Sequence, residues 1–286
     1  MVKARIGIIG GSGVYDLEGI EYHDEIDLWT PYGSPSDHIR LGRYEGRELA
    51  FLPRHGRTHK YNPTQVPYQA NIYAMKKVGV EWIIAVNAVG SLQNNINPLD
   101  FVIPDQVIDR TKHRPNTFFD PIAVHVSFAD PFCPSLRNLL IESARECNVT
   151  VHPAGTYVCM EGPLFSTRAE SNLYRSWGAH LIGMTALPEA KLAREAQICY
   201  AIVAAVTDYD CWHEQDVEIE MVIEYLKKNA ENLKQLIKTA VPKIPETRRA
   251  GDCGCCNALQ NAVLTQPQDF PEDQKEAFEF LLGAAE

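Results

Sequence analysis

Two carboxylates stand two residues apart in Thr207-Asp208-Tyr209-Asp210, directly after the uncharged apolar run 201–206. A run of that length is too short for a membrane span and reads as a strand buried on both faces. Ligands of open α/β sheets bind beyond the carboxyl ends of the strands. If the chain stays extended, Asp208 and Asp210 fall on one side. Two carboxylates in one small site resist double ionisation, so one keeps a proton near neutrality. A half-protonated pair accepts from an exocyclic amine and donates to a ring nitrogen, which suits N6 and N7 of a 6-aminopurine. Taken alone, the stretch also reads as a solvated loop with two acids.

Groups suited to an anion occur at other strand ends. Residues 5–13 run as a short strand into Gly10-Gly11-Ser12-Gly13, where crowded backbone N–H groups and the Ser12 hydroxyl can meet an anion. A dinucleotide fingerprint fits poorly there, because Asp16 stands where the third glycine belongs. Arg54-His55-Gly56 follows a second strand, and a guanidinium beside an imidazole reads as a phosphate or carboxylate clamp or as a basic surface loop. Asn87-Ala88-Val89-Gly90-Ser91 is a third, small and polar strand exit.

The elements that must position these groups alternate between strand and helix. Residues 38–52 read as a hairpin about Glu45-Gly46, 66–79 as a helix, and 82–86 as a buried strand. Residues 101–109 form a strand split by Pro104, and 134–147 a helix. Residues 110–135 hold few regular signals, and a long irregular segment in a compact domain is more often functional than idle. Strand character returns at 151–161, and Thr167-x-x-Glu170 is a capping box opening a helix that ends at Gly178. A short strand over 181–185 and a helix from Pro188-Glu189 to about residue 198 precede the run at 201–206. Residues 214–241 read as one long amphipathic helix, stopped by Pro242 and Pro245. The expected organisation is one α/β domain over 1–245 and a tail over 246–286 with a helix at 273–282.

The 286-residue chain is 45% hydrophobic and 22% charged, which is globular composition. Its net charge of −10 argues against nucleic acid or anionic membrane as a partner, but a local positive pocket can still take a small anion. No run reaches the ~18–20 apolar residues of a membrane helix, and the N-terminal run is too short for a signal peptide. A cytoplasmic location is the expectation. Of eight cysteines, Cys133, Cys147, Cys159, Cys199 and Cys211 lie mostly in apolar context and read as inert buried thiols. The others cluster in Cys253-Gly254-Cys255-Cys256, with no second Cys/His cluster nearby to complete a four-ligand zinc site, so no metal is expected. The cluster reads as a redox-active or disulfide-forming clip, as a pairing to Cys199 or Cys133, or as free thiols on a tail.

Gly10-Gly-Ser-Gly13, Arg54-His55-Gly56, Glu161-Gly-Pro-Leu-Phe-Ser-Thr-Arg-Ala-Glu-Ser171, Met184-Thr185 and Thr207-Asp-Tyr-Asp-Cys-Trp212 occur in that order. Together they resemble the 5′-methylthioadenosine phosphorylases, within the purine nucleoside phosphorylase family, over residues 3–242. The resemblance implies a single α/β domain around a mixed, twisted, partly barrel-like sheet flanked by helices. It implies a homotrimer, with a hexamer as the alternative, and active sites near subunit boundaries. The reaction implied is phosphorolysis of 5′-methylthioadenosine to adenine and 5-methylthioribose 1-phosphate, a purine and methionine salvage step. Inorganic phosphate is the co-substrate, and neither cofactor nor metal is implied.

By the same resemblance Ser12, Arg54, His55, Asn87, Thr185 and the backbone N–H of Ala88 hold phosphate. Asn87 stands where human-type enzymes carry threonine. Asp208 and Asp210 hold the base, with Asp208 as the acid for N7. Ser166 lies near the base, Phe165 packs against base and sugar, and Met184 lies under the ribose. Ile219, Val222 and Ile223 meet the 5′-thiomethyl group, although their spacing alone would make them core. His125 is contributed to the neighbouring subunit. Gly183 replaces an asparagine of close relatives, which implies looser contacts around the sugar. The rival is a phosphorylase of 6-oxopurine nucleosides, purine nucleoside or methylthioinosine type. Those with that preference carry glutamate and asparagine at the positions of Ser166 and Asp208. A carboxylate facing O6 opposes two acceptors, a mismatch of about 1–3 kcal/mol when buried. A non-catalytic nucleotide-binding module and a redox protein are disfavoured by the missing third glycine and the intact phosphate set.

Overall fold

A computed structural model of the chain describes residues 3–11, 17–213, 219–248 and 251–283, with backbone alone over 219–223. The strands are β1 (Ile6–Gly10), β2 (Glu21–Ile26), β3 (Ile39–Tyr44), β4 (Arg47–Pro53), β5 (Trp82–Ser91), β6 (Phe101–Val102), β7 (Gln106–Arg110), β8 (Val151–His152), β9 (Thr156–Met160), β10 (Leu181–Gly183) and β11 (Cys199–Asp208). The helices are α1 (Tyr68–Lys77), α2 (Pro134–Glu146), α3 (Arg168–Ser176), α4 (Glu189–Glu195), α5 (Ile219–Ala240) and α6 (Lys275–Leu282).

All strands join one mixed sheet, which branches at β5. In its first part β5 lies between β1 and β11, parallel to both. Its last residues, Gly90 and Ser91, pair antiparallel with β10. This fork explains why β5 outruns the expected strand at 82–86: the polar exit residues keep finding backbone partners. β4, β1, β5 and β11 are mutually parallel, so their carboxyl ends share one edge of the sheet. That edge brings the sequence motifs together.

Every residue of β1 is buried, and so is β11 up to Thr207, as expected for parallel strands covered on both faces. Leu136 and Leu140 of α2 and Leu233 and Ile237 of α5 pack on one side with Ile6, Ile8 and Val203. Ile72 of α1 and Leu192 of α4 pack on the other with Ile9, Ile202 and Ala204. Thr167 and Glu170 form the expected reciprocal capping box of α3. β2 is not foreseen in the sequence. Its residues are polar and largely exposed, and its pairing with β3 holds it as an edge strand.

Leu259, Ala262, Phe270, Phe278 and Leu281 of the tail are buried in the same core as α1 and α4. Val124 and Val263 form an antiparallel bridge, and the His125 N–H donates to the Ala262 carbonyl at 2.9 Å. The tail thus grips the irregular segment near residue 124. The sequence shows no second Cys/His cluster beside the tail cysteines, but the fold supplies one from the two core thiols named as possible partners. The N-cap of α2 and the first residue of β11 bring Cys133 and Cys199 to Cys253 and Cys255.

Candidate active site

A cavity of about 320 Å³ opens at the shared carboxyl edge, a volume suited to a small ligand. Arg54, His55, Asn87, Ala88, Phe165, Met184, Thr185, Asp208 and Asp210 all line it. Nine site residues named from sequence are therefore gathered at one place. Ser166 sits just behind the wall, its hydroxyl 3.6 Å from the Met160 sulfur and near the Asp210 carboxylate. His125 is exposed elsewhere on this chain and does not reach the cavity. Ser12 lies outside the described residues, and so do the side chains of Ile219, Val222 and Ile223.

The carboxylates reach the cavity by a different route from the one their spacing suggests. β11 ends at Asp208, and Asp210 opens a single 3₁₀ turn with a left-handed φ of 53°. A non-glycine residue held there is strained, of order 1–3 kcal/mol. The turn lets the Asp210 N–H donate to Asp208 Oδ1 at 2.8 Å, while the Thr207 hydroxyl donates to Oδ2 at 2.7 Å. Burial pushes the Asp208 carboxyl above its ordinary range despite both bonds. Burial does the same to Asp210, 5% exposed, and the neighbouring Asp208 charge adds to it. Gly90 makes room for the pair, since a Cβ there would stand 2.9 Å from Asp208 Oδ1.

Arg54 is 1% exposed and its partner was not legible in the sequence. Its Nε and Nη2 donate to the two oxygens of buried Glu189, both at 2.7 Å. Further bonds run from Nη1 to the Val86 carbonyl at 2.9 Å and from Nη2 to that of Ile9 at 3.4 Å. A guanidinium has five N–H donors, so one, on Nη1, is left beyond these four. Burial opposes the charge, and the Glu189 carboxylate outweighs it, holding Arg54 above its ordinary range. His55 is lowered by burial and then by the Arg54 charge. Its Nδ1 meets the Tyr61 carbonyl at 2.9 Å. A neutral ring that donates there keeps Nε2 as an acceptor.

Asn87 Nδ2 donates to Thr185 Oγ1 at 2.7 Å, and its Oδ1 is buried without a hydrogen-bond partner among the described residues. Ala88 is the exposed position of an otherwise buried β5. Gly183 is not a gap: a Cβ there would lie 1.9 Å from the Tyr157 hydroxyl, so Tyr157 already fills the space.

Arg114, in the irregular segment, is a positioning residue that no sequence motif marks. Its Nη1 donates to the carbonyls of Met184 and Leu187, both at 2.6 Å, and its Nη2 to that of Glu161. One buried guanidinium thereby ties the Met184 wall to the loop that leads to Phe165. A buried cation surrounded by carbonyls was findable only from the pairing, which spans some 46–73 residues.

A model of the Phosphorylase superfamily matches residues 5–242. The chain is 50% identical over 283 residues to the S-methyl-5′-thioadenosine phosphorylase of Geobacter sulfurreducens, covering 98% of each. It is 52% identical over 265 residues to that of Hyperthermus butylicus, covering 92% of this chain and 97% of the relative. A crystal structure of a methylthioadenosine phosphorylase from an Antarctic soil metagenomic library superposes with a TM-score of 0.93. It is 48% identical, and the match covers 98% of this chain and 99% of that one. The methylthioadenosine phosphorylase of Schistosoma mansoni, solved with adenine, gives a TM-score of 0.86 at 35% identity, covering 92% and 99%.

Proposed function

The chain belongs to the phosphorylase superfamily, and within it we infer that it catalyses phosphorolysis of 5′-methylthioadenosine to adenine and 5-methylthioribose 1-phosphate. The observation that carries this reading is one cavity holding a buried, proton-favouring acid pair and a basic, amide and hydroxyl set beside it. Near-full-length identity of about half to enzymes named for this reaction supports it.

The residues divide the work. Phosphate sits against His55, the Thr185 hydroxyl, the Asn87 amide, the Ala88 N–H and the remaining Arg54 N–H, and the Gly-Gly-Ser-Gly motif assigns Ser12 to the same anion. The Asn87 amide shares its hydrogen bond with Thr185, so the two move as one donor unit. Adenine lies toward Asp208 and Asp210, with Phe165 against its face and Met184 under the sugar. The C1′–N9 bond breaks through an oxocarbenium-like sugar, as in glycoside cleavage. A phosphate oxygen takes C1′, and its negative charge steadies the cation. Asp208 gives its proton to N7, so the electron pair of the broken bond leaves on a neutral adenine. Burial readies Asp208 for this by favouring the acid form at the start. No cofactor or metal takes part in this scheme.

We propose a homotrimer, or a hexamer built from it. Leu164 and Phe165 are 82% and 73% exposed beside the cavity, and His125 is exposed away from it. A neighbouring subunit that covers the first pair and receives the histidine accounts for both. A cytoplasmic location accompanies this proposal; among the described residues no helix is long and apolar enough to cross a membrane.

The test of function is a panel of methylthioadenosine, adenosine, inosine and methylthioinosine, each with and without phosphate. Phosphate-dependent adenine release from methylthioadenosine is expected, with poor turnover of the two 6-oxopurines. Preferred cleavage of inosine or methylthioinosine would overturn the substrate assignment. Light scattering tests the trimer.

A further inference from the structure

Four thiols converge far from the active site. Cys133, Cys199, Cys253 and Cys255 hold their sulfurs all within 4.8 Å of one another, and the Cys199 and Cys253 sulfurs lie 3.5 Å apart. Cys133, Cys199 and Cys255 are at most 2% exposed. They come from three segments: the N-cap of α2, the first residue of β11, and the tail. Hydrogen bonds hold the segments to one another and to the sheet. The Cys133 N–H donates to the Tyr200 carbonyl at 2.8 Å, the Cys199 N–H to that of Glu81 at 2.9 Å, and the Ser135 hydroxyl to that of Asp252 at 2.6 Å.

We propose that these four cysteines bind one structural zinc ion as thiolates. Zinc–sulfur bonds of about 2.3 Å in a tetrahedron put the sulfurs about 3.8 Å apart, within the spread seen here. The geometry favours a common centre over a pair of disulfides, because all four thiols are free and Cys199 and Cys253 stand 3.5 Å apart, near the zinc spacing and well beyond the roughly 2.05 Å of a disulfide. A four-iron cluster would hold its cysteine sulfurs farther apart than these 4.8 Å. Four-sulfur tetrahedral sites select zinc or iron, and a redox-inert ion suits a site that joins segments and touches no substrate.

The surroundings fit thiolates. Cys133 stands at the N-cap of α2, where the free backbone N–H groups of the first helical turn lie close by. Such donors orient and steady metal-bound sulfur. On binding, four thiols release four protons to solvent, and four thiolates with one divalent cation leave a site of charge −2. Lys243 and Arg248, ion-paired to Glu146 and Glu81, line the adjoining cavity beside Cys199 and Cys253, and Asp252 adds a carboxylate there. Cys256, in the same tail cluster, is not part of the group. The site ties the tail to α2 and to the amino end of β11, closing chain loops of more than 50 residues. Closure of long loops stabilises most in the chain-entropy account.

The test uses the full chain, purified without chelator, with metal measured by mass spectrometry. One zinc per chain is expected. Cys133→Ser and Cys255→Ser should each lower it at least tenfold, while Cys256→Ser and Cys147→Ser keep it. In case the first two variants fold poorly, the parent protein is stripped, kept reduced, and titrated with Co²⁺. Uptake of one equivalent with sulfur-to-cobalt charge-transfer bands is expected, and re-addition of Zn²⁺ should raise the melting temperature. The proposal is overturned by reduced protein that takes up neither metal, by iron in place of zinc, or by zinc retained in Cys133→Ser and Cys255→Ser together.

Discussion

β11 runs ten residues, about 30 Å, from Cys199 to Asp208, and its ends leave their polar atoms in opposite conditions. At the carboxyl end, Asp208 and Asp210 are pushed by burial toward the neutral acid, Asp210 holds a left-handed backbone, and Asn87 keeps an unpartnered carbonyl. At the amino end, four sulfurs face one another across a common centre. The first end keeps hydrogen-bonding capacity open for a substrate at a cost in stability. The second commits its reactive atoms to the fold.

Exchanging the acid should break this contrast most visibly. Asp208→Asn is expected to lower kcat on methylthioadenosine by about 10²–10⁴-fold, the usual contribution of general acid catalysis. The parent's rate should fall as pH rises through the raised pKa of Asp208, because the acid works only while protonated. The variant should lack that alkaline limb. Stability carries the same sign: a carboxyl with a raised folded pKa stabilises the fold at low pH, and that contribution is lost as pH climbs through the folded value. The Asp208→Asn melting temperature at pH 7 should therefore be no lower than the parent's. A kcat within tenfold of the parent, or a fall in melting temperature, would count against the contrast.

Arg54 mixes the two conditions, since its charge faces the cavity while its fork holds Glu189. Removing one partner of a buried ion pair costs about 3–5 kcal/mol. Arg54→Ala should lose stability on that scale and raise the phosphate KM at least tenfold. Pairing Arg54→Met with Glu189→Met should recover stability and leave the phosphate KM high. Recovery of both would assign Arg54 to the fold alone. Gly183→Ala comes next, at about 1–3 kcal/mol of overpacking against Tyr157, read as a lowered midpoint in urea. An unchanged midpoint would mean that Tyr157 moves aside freely. The smallest effect on turnover belongs to the amino end: Cys253→Ser should keep kcat within twofold while its melting temperature falls. A large loss of kcat in the folded variant would show that the two ends are coupled.

The sequence revealed those site residues that sit in short contiguous motifs beside buried strands. Asp208, Asp210, Arg54 and His55 follow runs whose burial and spacing are local properties. Glu189, Arg114 and Tyr157 act through partners 135, 70 and 26 residues away, namely Arg54, Met184 and Gly183, and no local pattern encodes such meetings. The thiol group is the extreme case. Only Cys253 and Cys255 are neighbours in sequence, and the convergence is made by β11 pairing with β5 and by α2 packing against β11. β2 escaped for another reason: its polar residues carry no burial signal, and only its hydrogen bonds to β3 make it a strand.

The bridge between Val124 and Val263 places the tail of each chain against the segment that bears His125. If that histidine completes the neighbouring subunit's site, a lesion and its symptom fall on different molecules. A chain shortened after residue 245 would lose Leu259, Phe270 and Phe278 from its own core and, with them, the strand partner of the segment it offers its neighbour. In rings assembled from a mixture of shortened and whole chains, activity would follow the number of intact junctions, and a catalytically dead but full-length chain could restore a partner that a truncated one cannot.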